Sequence, residues 1–327
     1  MIHMRFAASF AAMTFFAGAA QAAILIQPLA TPAAPSSTFV TSIMGTPVAG
    51  DTRLFLTRKD GYITSYDTAT TNTALFHDLN DRVTSAPFDQ RGLISLAFDP
   101  NYETNRNYYV FLTGPGGASG VQAQVLRFTD DGSATRGEQS IWQMNLGTVD
   151  NHIGGWLGFD QDGMLLISLG DGSVWPGVDT QNTGQNPGDF FASILRINPY
   201  ADSFQDDPLQ NYGIPDGNAG IDGAAPEVYL YGVRNAFRNT IAPDGNLIVA
   251  DVGNADQDEL TIVEAGTDLR NLGWALREGN VILSPGDVPG YHAPDLVYGH
   301  DEGAAIIGGF VYRANAVPEL VGDYVFG

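Results

Sequence analysis

The segment VDNHIGGWLGFDQDGMLLISLGDGS, residues 149–173, contains the pattern that decides the fold of this protein. Two apolar runs flank Asp162-Gly163, and an Asp-Gly pair between β-rich runs is a strong signal for a hairpin. His152 precedes the first run, and the two glycines that follow it allow backbone or a ligand to come close. An imidazole titrates in the range that a general base needs, yet taken alone this residue is more often a structural or exposed histidine.

The same pattern recurs along the chain. TRLFLTRKDGYITSYD (52–67) turns at Asp60-Gly61, and NTIAPDGNLIVADVG (239–253) turns at Asp244-Gly245. No long apolar repeat at helical spacing competes with these hairpins. Hairpins that recur with long, irregular loops between them predict an all-β propeller of four-stranded antiparallel blades. A β-sandwich is the competing architecture, but it favours shorter and more regular connections.

Composition narrows the possible functions. Of the 327 residues, 44% are hydrophobic and 16% are charged, so the chain can bury a core. The formal net charge of −22 opposes binding to nucleic acid and to anionic membrane surfaces, and it suits cation binding or simply a solvated acidic surface. Cysteine is absent, which excludes disulfides, thiolate metal sites and cysteine nucleophiles.

The start of the chain predicts export. Arg5 gives a positive charge, an apolar stretch follows, and Ala20-Gln21-Ala22 fits a cleavage site, so residues 1–22 are interpreted as a signal peptide. Residues 23–48 are interpreted as a linker or a first edge strand, and residues 49–327 as one propeller domain. We therefore expect a periplasmic or secreted protein that has no membrane insertion once the signal is removed.

Three further polar groups lie next to predicted strands. Arg234 and Asn235 could hold a carboxylate through the arginine fork, or form a strand-end salt bridge. The turn ADVGNADQDE (250–259) offers oxygen ligands of the kind that calcium takes, or it is an Asx-rich turn that satisfies its own backbone. Gln90 precedes a buried strand, as an ordinary loop residue also would. The residues alone leave each alternative open.

The order of seven phrases carries more information than any one of them. These phrases are QRGLISLAFDPNYETNRNYYVFLT, NHIGGWLGFDQDGMLLISLGDG, SILRINP, EVYLYGVRNAFR, DGNLIVADVGNADQDELTIV, NLGWALREG and IIGGFVYRANAVPELVGDYVFG. In this order the chain resembles the soluble pyrroloquinoline quinone (PQQ) dependent glucose and aldose sugar dehydrogenases, the glucose/sorbosone dehydrogenase family. The resemblance covers residues 50–327 and implies a six-bladed β-propeller.

The resemblance implies a role for each matching residue. His152 matches the base that takes the proton of the sugar C1 hydroxyl while hydride passes to PQQ. Arg234 and Asn235 match a pair that holds the acidic and carbonyl groups of the cofactor. Gly253 and Asn254 match residues whose backbone oxygens bind the calcium ion that clamps and polarises PQQ.

Four more residues match positions around that site. Gln90 matches a glutamine beside sugar and cofactor, and Arg313 matches a basic residue that neutralises the reduced quinone. Asp258 and Glu259 match an acidic pair near a second, structural calcium ion. A tri-anionic cofactor in an acidic protein needs such arginines and a divalent cation.

The chain also departs from the pattern of the family. Asn151 stands where the glucose enzyme has an aspartate that orients the base, and Phe237 stands where it has a glutamine that touches the cofactor. The last matching phrase stops at GDYVFG, so the sixth blade is predicted to be incomplete and the domain to be C-terminally truncated.

The sequence therefore predicts an exported, calcium-dependent quinoprotein that oxidises aldose sugars at C1 to lactones and passes electrons to an external acceptor. Two alternatives remain at this point. One is a non-catalytic propeller of the same family that binds a sugar or a protein. The other is a calcium-dependent lactonase on a similar propeller, which would need a converging cage of carboxylates in the central channel.

Overall fold

Almost all regular structure in this chain consists of β-strands. The computed structural model describes residues 4–6, 39–86, 88–116, 120–133, 135–173, 178–218, 220–267 and 270–327. The first strand, β1, spans Met4–Phe6. Among the residues described, the helical elements are a four-residue helix, α1 (Tyr102–Asn105), and the 3-10 turns Asn80–Arg82 and Pro318–Leu320. Within the described residues, no helix has the length and apolar character needed to cross a membrane.

The first two sheets are four-stranded antiparallel meanders in chain order. The first consists of β2 (Val40–Gly45), β3 (Arg53–Arg58), β4 (Tyr62–Asp67) and β5 (Thr73–Asp78). The second consists of β6 (Leu93–Phe98), β7 (Asn107–Pro115), β8 (Val121–Thr129) and β9 (Gly137–Gly147). The predicted turn at Asp60-Gly61 joins β3 to β4, where Gly61 has φ +99°.

The third and fourth sheets carry the longer loops. The third consists of β10 (Leu157–Phe159), β11 (Leu165–Leu169), β12 (Ser193–Ile197) and β13 (Val228–Tyr231). The fourth begins with β14 (Thr240–Ile241), β15 (Leu247–Asp251) and β16 (Gln257–Val263). A small hairpin, β17 (Arg277–Glu278) and β18 (Val281–Ile282), precedes its last strand, β19 (Leu296–Gly299). Both Asp-Gly turns predicted here, at 162–163 and 244–245, join the first two strands of a sheet.

The sheets are arranged as blades around a common axis. The first strand of each sheet lies against the first strand of the next, from β2 to β6, β10, β14 and then β20 (Gly309–Val311). This arrangement confirms the all-β propeller and its four-stranded antiparallel blades.

The blade count of six is not confirmed. Four complete blades are formed by the described residues. The next sheet contains three described strands, β20, β21 (Tyr324–Phe326) and β1. β20 pairs with β21 in antiparallel orientation, whereas β1 joins from the start of the chain and pairs with β21 in parallel orientation.

The structure describes little of the beginning of the chain. β1 falls within the predicted signal peptide, whose other residues lie outside the described part of the chain, so the signal peptide stays a prediction. In the segment interpreted as a linker or edge strand, β2 is the first strand of the first blade.

The core lies between neighbouring blades. Side chains such as Phe111, Trp142 and Leu195 are fully buried in a cluster that joins the second and third blades. Gly155 has φ +90°, and a side chain there would come within 2.8 Å of Ile94 Cγ2. Gly155 therefore allows close packing of the second blade on the third, which holds the His152 loop in place.

Candidate functional site

His152 and Asp171 form a hydrogen-bonded pair at one end of the third blade. His152 precedes β10 and Asp171 follows β11, so the antiparallel pairing of these two strands brings both residues to the same end. His152 Nδ1 lies 2.7 Å from Asp171 Oδ1, and Asp171 is completely buried. A carboxylate partner keeps the proton on Nδ1 and leaves the lone pair on Nε2. His152 itself has φ +49°, in the left-handed region, and this backbone conformation sets the direction in which its side chain leaves the loop.

Asp171 supplies a carboxylate that orients the His152 ring, a role that the family resemblance assigned to the position of Asn151. Its Oδ1 also accepts the Ser173 N–H at 2.9 Å, and its Oδ2 accepts the Trp274 Nε1–H at 2.8 Å. Three donors thus hold a carboxylate that is fully removed from solvent. Asn151 is therefore not needed for this task, because the orienting group arrives from the other strand of the hairpin.

Arg234 and Asn235 lie beside this pair. The Asp171 N–H donates to the Arg234 carbonyl at 2.8 Å, and Asn235 Oδ1 accepts the Gly154 N–H at 3.1 Å. Asp251, at the end of β15, accepts the backbone N–H groups of both residues at 2.7 Å. The loop between the third and fourth blades is thereby fixed against the His152 loop, and the predicted base and cofactor pair are brought together.

The charges around Arg234 are unusual for a protein interior. Burial raises the pKa of Asp251 to about 7, although two backbone N–H groups oppose this. Burial lowers the pKa of Arg234, while nearby carboxylates, with Asp171 and Asp251 first among them, oppose the change. The guanidinium lies 5.5 Å from the centre of the Trp274 ring. This guanidinium makes long hydrogen bonds to the Val252 carbonyl and to Asn254 Oδ1, both at 3.4 Å, and an anionic ligand can displace them.

The turn after β15 is built around one carboxylate. Oε1 of Glu278 accepts four consecutive backbone N–H groups, from residues 254 to 257, at 2.7–3.1 Å. A side chain on Gly253 would collide with the Gln257 carbonyl, since its Cβ would lie 1.9 Å from that oxygen. The N–H groups of this turn therefore point at a carboxylate, and only glycine fits at its entry.

Oxygen atoms in this turn remain available to a cation. Within the described part of the chain, the carbonyls of Gly253 and Asn254 accept no hydrogen bond. Oε2 of Glu278 is buried and also has no described partner. A cavity of about 10 Å³ is lined by residues that include Gly253, Glu278, Arg234 and Arg277, and it is just large enough for one water or one ion. Such hard oxygen ligands fit calcium.

Asp258 and Glu259 face different partners. Asp258 is fully buried and accepts hydrogen bonds from the Gly253 N–H, the Tyr298 hydroxyl and His300, at 2.8, 2.9 and 3.2 Å. Glu259 accepts the Gly279 N–H at 2.7 Å, and burial together with the Asp251 charge raises its pKa well above the ordinary value. Neighbouring strand residues point to opposite faces, so the structure does not bring these two carboxylates to one ion, and the second calcium site stays a prediction.

Gln90 and Arg313 differ in where they lie. Gln90 borders the His152 loop, since its N–H donates to the Asp150 carbonyl at 2.8 Å and its Oε1 accepts the Ile153 N–H at 3.4 Å. Arg313 is exposed and lies two residues beyond β20. The start of that strand lies against Arg238, and among the described residues no contact joins Arg313 to the other predicted site residues.

A wide cleft lies elsewhere. It measures about 550 Å³, is lined by residues of the third and fourth blades such as Asp162, Arg196 and Tyr229, and contains none of the predicted site residues. The His152–Asp171 pair, Arg234 and the turn after β15 lie at the opposite end of these blades, so we place the candidate site there. Among the described residues, no three acidic, histidine or cysteine side chains are grouped as a metal site, so the carboxylate cage that a lactonase would need is not found in this part of the chain.

Sequence reasoning missed three residues of this site: Asp171, Trp274 and Glu278. The phrases SLGDG and NLGWALREG contained them, but no local pattern distinguished them from ordinary loop residues. Their partners lie 19, 103 and 21 to 24 positions away along the chain. Strand pairing within the third blade joins Asp171 to His152, the fold of the fourth blade places Glu278 against its turn, and packing between these two blades brings Trp274 to Asp171.

Two solved structures similar to this chain are described as aldose sugar dehydrogenases. The PQQ-bound aldose sugar dehydrogenase of Streptomyces coelicolor is 21% identical with a TM-score of 0.62, covering 84% of this chain and 75% of that one. The apo form of the soluble aldose sugar dehydrogenase of Escherichia coli is 20% identical with a TM-score of 0.63, covering 87% and 80%. At this level of identity, the likeness supports the propeller fold alone.

Curated relatives are of a different kind. The HIPL2 protein of Arabidopsis thaliana is 29% identical over 77% of this chain and 44% of its own length. The human Hedgehog-interacting protein is 29% identical over 85% of this chain and 39% of its own length. The chain thus spans about two fifths of the length of these relatives. The sequence model described as Glucose / Sorbosone dehydrogenase matches residues 42–327, and the chain belongs to this family.

Proposed function

We propose that this protein is a calcium- and PQQ-dependent dehydrogenase that oxidises the C1 hydroxyl of aldose sugars to lactones. The observation that carries this proposal is the position of the His152–Asp171 pair beside Arg234 and the unpartnered carbonyls of Gly253 and Asn254. A base, an anion-binding cation and hard oxygen ligands are the three elements that such a reaction needs. We further propose that the protein works outside the cytoplasm, with an external electron acceptor.

In this reaction His152 acts as the general base. Nε2 accepts the proton of the C1 hydroxyl, and Asp171 stabilises the imidazolium that forms through its hydrogen bond to Nδ1. Because Asp171 is fully buried and held by three donors, the ring keeps its orientation during proton transfer. Gln90 lies at the edge of the same loop and can contact the sugar.

The residues around Arg234 fit the proposed cofactor. Arg234 and Asn235 would hold its acidic and carbonyl groups, while Gly253 and Asn254 would supply carbonyl ligands to the calcium ion. When bound, PQQ supplies a two-electron acceptor for the hydride from C1. The single-ion cavity and the unpartnered Glu278 Oε2 agree with a cation at this turn. Arg313 is not part of this proposal, because it is exposed and makes no described contact with the residues of the cluster.

Reconstitution tests the proposal. Purified protein is first stripped with a chelator, then given calcium, then PQQ, while its melting temperature, its absorbance and dye reduction with a panel of aldoses are followed. We expect calcium to raise the melting temperature, since a ligand that binds only the native state stabilises it. Dye reduction should require both PQQ and an aldose. A complete protein that binds neither group would contradict the proposal.

Substitution of Arg234 sharpens this test. Arg234→Met should weaken PQQ binding by roughly 10- to 100-fold, because a charge-assisted hydrogen bond to a partly buried anion is lost. Arg127→Met is the matched control, since this arginine lies in β8 and its guanidinium binds Gln139 in the second blade. Equal losses in the two variants would indicate a general charge effect and not a cofactor contact.

A second function is favoured by the curated relatives. The similarity to Hedgehog-interacting protein supports the alternative of a non-catalytic propeller that binds a sugar or a protein partner. The two alternatives are separated by the same experiment. A binding propeller would show a shift of melting temperature with a sugar or a partner, but no dye reduction with any aldose.

A further inference from the structure

Trp274 connects the fourth blade to the His152–Asp171 pair. It lies between β16 and β17, is 3% exposed, and donates its Nε1–H to Asp171 Oδ2 at 2.8 Å. Its own backbone is fixed on both sides, because its N–H donates to the Gly232 carbonyl at 2.9 Å and its carbonyl accepts the Gln185 side chain at 2.6 Å. The indole is therefore a rigid donor that reaches across the blade boundary.

We propose that Trp274 is a positioning residue that acts on His152 through Asp171; this inference rests on the proposed role of His152 as a base. The two oxygens of Asp171 have separate partners. Oδ1 serves His152 and the Ser173 N–H, whereas the indole of Trp274 is the one described partner of Oδ2. Without that donor, a buried carboxylate oxygen is left unpaired, and the carboxylate turns to recover a bond.

Rotation of the Asp171 carboxylate also changes the tautomer of the His152 imidazole. His152 presents a lone pair at Nε2 only while Nδ1 keeps its proton toward Asp171. A carboxylate that turns away loosens this bond, and the neutral ring then divides between its two tautomers. The ring of Trp274 also lies under the guanidinium of Arg234, at 5.5 Å. One side chain thus links the base to the proposed cofactor-binding arginine.

Trp274→Phe is the informative variant, because it keeps an aromatic ring and removes only the N–H. The first measurement is ¹⁵N NMR of His152 in protein without PQQ, recorded over a pH series so that the spectrum of the neutral ring is identified directly. We expect one tautomer with Nδ1 protonated in the wild type and a mixture in Trp274→Phe. With PQQ and calcium added, kcat should fall by about 10- to 100-fold with little change in KM, since the base is misplaced while sugar contacts remain.

Trp142→Phe is the matched control. Trp142 is completely buried in β9, yet its Nε1 has no hydrogen-bond partner among the described residues, so the same substitution removes no bond. It should leave the tautomer of His152 and kcat unchanged. A single Nδ1–H tautomer in Trp274→Phe would overturn the proposal, and so would equal changes in both variants, which would indicate general loosening of the core.

A second variant provides the same test if Trp274→Phe does not fold. Benzothienylalanine at position 274 keeps the shape of the indole and replaces its N–H by sulfur, and it should reproduce the mixed tautomers; wild-type behaviour in that protein would overturn the proposal. The NMR measurement does not depend on dehydrogenase activity. An inactive wild type with a tautomer that depends on Trp274 would end the proposed function and leave the positioning role intact.

Discussion

Two buried histidines in this protein have opposite surroundings. His77, in β5, and His152, before β10, are each 8% exposed. His77 Nδ1 lies 2.8 Å from the Tyr108 hydroxyl, which also accepts a hydrogen bond from Arg136 at 2.7 Å, and its ring meets the edge of Phe128 at 4.7 Å. Burial, followed by the Arg136 charge, lowers the pKa of His77 to about 4.

His152 has the same exposure and a different partner. The completely buried carboxylate of Asp171 lies against its Nδ1, and no such group faces the ring nitrogen of His77 that bonds Tyr108. A nearby anion stabilises an imidazolium, whereas a nearby cation and apolar rings oppose it. Burial alone therefore does not make a histidine a base. We propose that the charge of the group beside the Nδ1 atom distinguishes His77, a core residue, from His152, the proposed base.

Replacement of each histidine by alanine should give the largest difference in turnover between the proposed base, His152, and the core residue, His77. With PQQ and calcium bound, His152→Ala should lower turnover on the order of 10²- to 10⁴-fold, because proton transfer loses its acceptor. His77→Ala should leave turnover per folded molecule close to wild type, since its ring serves the core. Dye reduction with normalised amounts of folded protein measures both. A loss of activity in His77→Ala equal to that in His152→Ala would remove the distinction.

The pH dependence of stability should report His77. Its folded-state pKa is about 4 against an ordinary value of 6.5, so the unfolded chain binds more protons in this window. Stability is therefore fully present above pH 6.5 and is lost as the pH falls toward 4, by about 3 kcal/mol at most.

Urea unfolding of wild type and His77→Gln between pH 4 and 7 measures this effect. The variant should show a smaller loss of stability over that range, because glutamine does not titrate. Curves that stay parallel through the whole range would mean that His77 does not cause the loss.

The smallest effect is expected at Asn151. Asn151→Ala should change turnover by less than about threefold, because Asp171 already orients the imidazole. Asp171→Asn should lower turnover by about 10²-fold or more, since an amide cannot stabilise the imidazolium and favours the wrong tautomer. If Asn151→Ala were the more damaging variant, the pair that we assign to the base would be wrong.

The sequence by itself predicted the strands and hairpins well because their signals are local. Asp-Gly pairs at 60–61, 162–163 and 244–245 each need positive φ at glycine between two β-rich runs, and each became the turn of a hairpin. The number of blades has no such local signal. It depends on how sheets pack around the axis, and here four complete blades are described where the resemblance implied six.

The same division applies to the site. The sequence determined His152, Arg234, Asn235 and the turn at Gly253 as candidates, because glycines and polar residues at strand ends form recognisable phrases. The tertiary structure decided what they bond to. Asp171 and Trp274 are 103 positions apart and meet only because the third blade packs on the fourth. Whether a buried histidine is a base or part of the core depends on the charge that such packing places beside it, and a linear pattern does not contain that information.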